Sequence, residues 1–198
     1  MAKALLKLLF STFILFSVML SSATSPTGEP DVIHRFSRQI SSETLGLKQE
    51  KLIHLHFYFH DIVSGRNPTA VEVARAAMTN TSAPHFGQVF VMDDPLTLGP
   101  NITSKLVGRA QGIYASTSQS EWAFLMVLNF AFMEGRYNGS NLSILGRNAI
   151  LSDVREMPIV GGSGVFRFAL GYAQARTHTF GLRTLDAVVE YNVYVLHH

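Results

Sequence analysis

The sequence predicts an all-β chain, a sandwich or a barrel, behind a secretory leader. Three observations predict the fold class. From Leu52 onward, short apolar runs are broken by turn residues at close spacing. No apolar stripe of 3.6-residue period and helical length appears after residue 50. Of 198 residues 47% are hydrophobic and 15% charged, with 15 Gly and 14 Phe, the composition of one compact domain with a large apolar interior and not of a disordered tail.

The elements follow from that pattern. Strands are expected over 52–61, 70–77, 86–93, 105–116, 121–133, 141–151, 164–177 and 186–196. The breakers are Ser64 to Pro68, Ala83-Pro84, Asp94-Pro95 with Gly99-Pro100, Thr117 to Ser120, Asn138-Gly139, Gly161 to Gly164, and Gly181. Asn138-Gly139 is the strongest hairpin signal, because both residues tolerate positive φ. Eight strands can close into a barrel, which removes exposed edges and leaves room for one small ligand.

Residues 1–23 have the three regions of a signal peptide. Lys3 and Lys7 supply the charge, Leu8 to Leu20 the apolar run, and Ser21-Ser22-Ala23 the small residues for cleavage. The run of thirteen residues is shorter than the roughly 20 that a membrane span needs, so no membrane contact is expected of the mature form. Residues 24–50 read as a loose polar arm, and 51–198 as the barrel domain. Losing Lys3 and Lys7 from 16 basic residues leaves 14 against 14 acidic, which gives no electrostatic case for nucleic acid. Four glycosylation acceptors support secretion: Asn80, Asn101, Asn138 and Asn141, each two before Ser or Thr. With no cysteine, disulfides, thiolate metal sites and cysteine nucleophiles are all excluded.

The stretch Leu52 to Asp61 holds most of the candidate chemistry. Alternation puts Leu55, Phe57, Phe59 and Asp61 on one face and His54, His56, Tyr58 and His60 on the other. The first face is expected to point inward, the histidines outward. A carboxylate ending an aromatic face has its pKa raised by desolvation, which suits a general acid; the alternative is a strand-end cap facing water. His54 and His56 have metal-ligand spacing, but a polar outer face accounts for them as well, and no metal is expected. Arg155 could hold an anionic or phenolic oxygen, or pair with Asp153 or Glu156 on the surface. Gly161 to Gly164 lacks the Lys-Ser/Thr and the helix of a phosphate loop and reads as a hairpin.

Several segments together resemble the plant dirigent family: His56 to Ile62, Phe86-Gly87, Asp93-Asp94-Pro95-Leu96-Thr97, Val107 to Gly112, Val154 to Gly164, and Asp186 to Tyr194. The resemblance covers roughly residues 50–196. It implies an eight-stranded antiparallel β-barrel with a small-molecule cavity, secreted to the plant apoplast, glycosylated and assembled as a homo-oligomer, a dimer or trimer. Family members orient phenoxy radicals or quinone methides made elsewhere, many coupling coniferyl alcohol to one lignan enantiomer with an external oxidase or laccase. No cofactor is implied. The family's catalytic positions fall on Asp61 and Arg155, and its substrate-binding positions on Phe59, Tyr114 and Asn148. Asn148 stands where lignan-forming members carry a second acid, and Ser116 where they often have a second tyrosine. Leu145 to Asn148 and Tyr172 to His178 resemble the pterocarpan synthases, which dehydrate an isoflavanol through a quinone methide and close a ring. The expected function is therefore stereoselective coupling of monolignol radicals to lignans, with isoflavanol dehydration and cyclisation as the alternative.

Overall fold

A computed structural model describes residues 39–198; the expected signal peptide and most of the arm lie outside them. Residues 39–50 form no helix or strand. Nine strands follow: β1 (Lys51–Asp61), β2 (Ala70–Ala74), β3 (Val89–Thr97), β4 (Leu106–Ser116), β5 (Ala123–Phe132), β6 (Asn141–Ala149), β7 (Arg155–Ser163), β8 (Leu170–Phe180) and β9 (Ala187–His197). All pairings are antiparallel, in the order β1-β9-β8-β7-β6-β5-β4-β3, and β3 meets β1 to close an eight-stranded barrel. The short β2 pairs with β3 outside the ring. No helix among the described residues is long and apolar enough to cross a membrane.

The expected number of barrel strands is right, but one expected strand gives way to one that was not expected. The 70–77 segment supplies only the outer β2, and Arg155–Ser163, which falls between two expected strands, is a barrel strand. Its alternation is clear: Arg155, Met157 and Ile159 are buried, Glu156, Pro158 and Val160 exposed. The glycines hid it. Gly161 and Gly162 continue the strand, and the chain turns only at Gly164–Phe166, a short 3-10 turn. Asp94-Pro95, expected to break a strand, lies inside β3. Proline is tolerated there because a strand at a poorly paired joint loses little by lacking one N–H.

Inward positions form the core. Phe57, Phe130, Phe132, Leu142, Ile144, Phe166, Val193 and Val195 pack toward one end. Phe57 meets Phe130 edge-on at 5.0 Å, and Phe166 meets Phe132 at 5.5 Å and Tyr137 at 5.2 Å. Each fully buried ring contributes roughly 1.5–3 kcal/mol. Glycine is needed where β4 and β5 approach: a Cβ on Gly112 would sit 2.2 Å from the Val127 carbonyl oxygen.

Ladder pairing around the ring is uneven. β1–β3 closes with two residue pairs and β6–β7 with four, while β7–β8 has five and every other joint nine to eleven. The β6–β7 pairs stop at Ile144 and Ile159, so Leu145–Ala149 and Arg155–Pro158 carry no ladder pair with each other. The barrel is thus two four-stranded halves meeting at two weakly laddered seams, and the candidate site residues sit on both.

Candidate active site

Asp61 and Asp94 lie at the first seam. The β1–β3 register pairs Phe59 with Leu96, and extending it two residues sets Asp61 against Asp94. The Tyr114 hydroxyl donates to Asp61 Oδ1 at 3.4 Å. Burial pushes the Asp61 carboxyl up to about 7, against that hydrogen bond and with help from the charge of Asp186. Asp94 is fully buried and neither oxygen has a hydrogen-bond partner. The Thr69 hydroxyl beside it turns to the His60 carbonyl instead. Burial, then the charge of Asp61, raises Asp94 to about 8. Its chain neighbour shows the contrast: Asp93 faces out, accepts from Arg109 Nε at 2.5 Å, and is held below the usual carboxylate range by that bond.

Asp61 does not cap the turn after β1. Asp186, from the loop before β9, does so: it accepts from the Val63 and Ser64 N–H groups and from the Ser64 hydroxyl at 2.7–3.0 Å. An open depression of about 430 Å3 adjoins Asp61, lined among others by His60, Ile102, Phe180, Asp186 and Val188.

Tyr114, in β4, stacks on Phe90 at 4.8 Å and meets Phe124 edge-on at 5.4 Å. Burial raises its hydroxyl pKa further above the ordinary value, so it stays protonated. Phe59 is buried against Tyr191 at 5.8 Å. Across the barrel, at the second seam, Arg155 Nε donates to Asn148 Oδ1 at 3.0 Å. Arg155 is 4% exposed, its Nη1 has no partner, and burial lowers its pKa. The surface pairing with Asp153 or Glu156 is not made: Glu156 accepts from Gln174. Gly146 lets the seam close, since a Cβ there would meet Met157 at 2.8 Å.

On the other face of β1, His54 bonds Asn192 at 2.8 Å and His56 bonds Glu190 at 2.7 Å. His60 departs from the expectation of an outward, wet side chain. It is 2% exposed, bonded to the Thr97 hydroxyl at 2.7 Å, and burial lowers its pKa. Among the described residues no three His, Asp or Glu converge as metal ligands.

Each of the expected catalytic and substrate-binding residues except Phe59 brings a polar group to this end of the barrel. Asp94 and Tyr191 were missed. The signal for Asp94 was present: Phe90, Met92, Asp94 and Leu96 share one face once the strand runs through Pro95. Treating Asp94-Pro95 as a breaker concealed it. Tyr191 alternates with Val189 and Val193 and looked like core; its distinguishing feature, that its hydroxyl feels the Arg155 charge, is tertiary.

Comparison with known proteins agrees with this architecture. The family model described as Dirigent-like protein matches residues 52–196. Dirigent protein 21 of Arabidopsis thaliana is 55% identical over 162 residues, 82% of this chain and 86% of its own. Pterocarpan synthase 1 of Glycyrrhiza echinata is 52% identical over 164 residues, 82% of this chain and 87% of its own. The solved structure of the pterocarpan synthase dirigent protein GePTS1 matches with a TM-score of 0.72 and 52% identity, covering 82% of this chain and 98% of that one. A single barrel domain that spans most of these relatives, with the family model running from β1 to β9, leaves one reading: the chain belongs to the dirigent family.

Proposed function

We propose that this protein binds a phenol bearing a benzylic hydroxyl, of the isoflavanol class, and converts it through a quinone methide to a cyclic ether with loss of water. The observation that carries the reading is the half-buried Asp61 carboxyl, set by the β1–β3 register against the buried carboxyl of Asp94 and bonded to the Tyr114 hydroxyl. A carboxyl that keeps its proton near neutral pH can protonate a leaving hydroxyl and then, as carboxylate, accept the proton of the hydroxyl that closes the ring. Similarity to two pterocarpan synthases, at 52% and 54% identity, supports this substrate class.

The aromatic walls formed by Phe59, Phe90, Tyr114 and Phe124 favour a second reading. They suit stacked phenolic rings, as needed to direct two monolignol radicals from an external oxidase into one lignan enantiomer. One experiment separates the two. Purified protein is given an isoflavanol alone, and separately coniferyl alcohol with laccase, and products are resolved by chiral chromatography. Conversion of the isoflavanol without oxidant supports the first reading. Enantiomeric excess only in the laccase arm replaces it with the second.

Secretion and self-association are part of the proposal. Asn80, Asn101 and Asn138 are exposed, which supports their use as glycan acceptors, while Asn141 is half-buried within β6. Retention of the expressed protein inside the cell, unglycosylated, would remove this point. A second copy is proposed to cover the outer row Val71, Val91, Ile113, Val127 and Leu145, which are register neighbours across five strands and each 38–46% exposed. Ile113→Glu should then yield monomers in light scattering; a wild type that is itself monomeric overturns it.

A further inference from the structure

The interior is not the only space that the polar end borders. The alternation that turns Phe59 and Val189 inward turns His60 and Val188 outward, and His60 and Val188 line the depression of about 430 Å3 beside Asp61. The depression therefore opens on the outside of the ring, between the ends of β1 and β8, the start of β9 and the β3–β4 loop. Its walls are mostly apolar, with Ile62, Ile102, Phe180 and Val188. Its volume falls within the roughly 300–1,000 Å3 of small-molecule sites, which are built from apolar walls and a few placed polar groups.

One of those polar groups is defined down to its proton. The Thr97 hydroxyl donates to the Gly99 carbonyl at 2.7 Å. Its single hydrogen is then committed, so it accepts from the His60 ring, 2.7 Å away. Nε2 thus carries the ring hydrogen and Nδ1 the lone pair. This chain of bonds crosses the β1–β3 joint, which has only two ladder pairs, and fixes the ring there. Burial lowers the His60 pKa, so the ring is neutral at neutral pH. Nδ1 makes no hydrogen bond among the described residues, yet it is not one of the sealed orphan atoms, which belong to Asp94, Arg155 and His197. It reaches open space, and the space that His60 lines is the depression. Asp186 lines it too. Burial opposes its ionisation, but bonds from Ser64 and Val63 hold its carboxyl below the ordinary value, so it is charged.

We propose that this depression is a second, outer binding site for an un-ionised phenol, whose hydroxyl donates to His60 Nδ1 while its ring lies against Phe180, Ile102 and Val188. A neutral lone pair calls for a hydrogen-bond donor. The charge of Asp186, with no Lys or Arg among the described lining residues, disfavours carboxylates and phosphates. A phenol of ordinary pKa, about 10, keeps its proton at neutral pH. The site is separate from the interior and does not depend on the reaction proposed there.

The test follows the Nδ1 resonance of His60 in protein labelled with nitrogen-15 histidine. Phenol should move that resonance saturably. Anisole has the ring without the donor, benzoate has the ring with an anion, and neither should move it. Val188→Trp and Ile102→Trp fill the depression from two sides, and each should weaken the phenol response by about tenfold or more. Thermal unfolding shows which of them is folded, and either one alone carries the test. A resonance indifferent to phenol makes His60 only the staple of the β1–β3 joint and overturns the proposal. An equal response to anisole or benzoate also overturns it, as does a phenol response undiminished in a folded, filled variant. The readout needs no turnover. A saturable response from a protein that converts no isoflavanol upholds the outer site and removes the interior reaction; conversion without a response does the reverse.

Discussion

At the Phe166 end of the barrel, Phe57, Phe130, Phe132, Tyr137 and Phe166 pack ring against ring, and the buried polar residues beside them are Ser140, bonded to the Val165 N–H, and His197, whose Nε2 is unpaired. At the Arg155 end, β1, β3, β4, β6 and β7 carry Asp61, Asp94, Tyr114, Asn148 and Arg155 inward, and there the unpaired buried atoms, on Asp94 and Arg155, belong to charged groups. The first end gains from burial and dispersion. The second incurs desolvation without full compensation. The difference also appears in the backbone, since both seams with few ladder pairs are flanked by the polar groups. One end holds the fold and offsets the desolvation cost at the other.

The largest expected effect comes from breaking the packed end. Phe166→Ala removes a fully buried ring that touches Phe132, Tyr137 and His197, and should cost about 3–5 kcal/mol in denaturant unfolding. Product stereochemistry should be unchanged for the fraction that is folded. A change in enantiomeric excess would show that the two ends are coupled and that the division drawn here is wrong.

The polar end should show itself in the pH dependence of stability. Asp94 is raised from 3.8 to about 8 and Asp61 to about 7. The folded state therefore holds protons that the unfolded chain has released, and stability falls as pH rises. The loss should run from about pH 4 to about pH 8. Asp94→Asn should flatten the slope without needing to raise the absolute stability. Unfolding curves across that range check it; an unchanged slope in Asp94→Asn means the buried carboxyl ionises freely.

Activity separates the ends further. Asp61→Asn keeps the size of the side chain and an acceptor for Tyr114 but removes the proton, and should lower turnover by about 10²-fold or more while ligand binding persists. Full activity in this variant would make Asp61 a structural partner of Tyr114 and leave Asp94 as the acid.

The strand alternation of β1 was legible in the sequence because period-two burial is a local pattern. Phe57, Phe59 and Asp61 could be faced inward from that pattern alone. Three features were not legible, each for a physical reason. β7 was hidden because glycine and proline are usual breakers, yet Gly161 and Gly162 continue a strand that Phe166 closely approaches: a Cβ on Gly162 would sit 2.7 Å from the Phe166 carbonyl oxygen. Asp94 was lost to the same rule, applied to Pro95. His60 alternates outward as expected, but outward is not wet there: Thr97, 37 residues along the chain, covers it, and one strand's periodicity carries no information about that. The pairing of Asn148 with Arg155 is likewise set by a seam between two strands and not by either sequence.

The smallest effect belongs to the outer wall, which serves as the control for both ends. His56 and Glu190 bond at 2.7 Å across β1 and β9, with side chains 39% and 30% exposed. A pair that open to solvent gains little Coulomb energy over water, loses side-chain entropy, and is screened by salt, so Glu190→Gln should change stability by less than about 1 kcal/mol. The substitution keeps an acceptor for the His56 ring and faces away from Asp61 and Arg155, so the product ratio should match wild type. If Glu190→Gln moved it, charge on the outside of β9 would be reaching the interior through Tyr191, the inward residue beside it. The site could then no longer be treated as a property of the polar end alone.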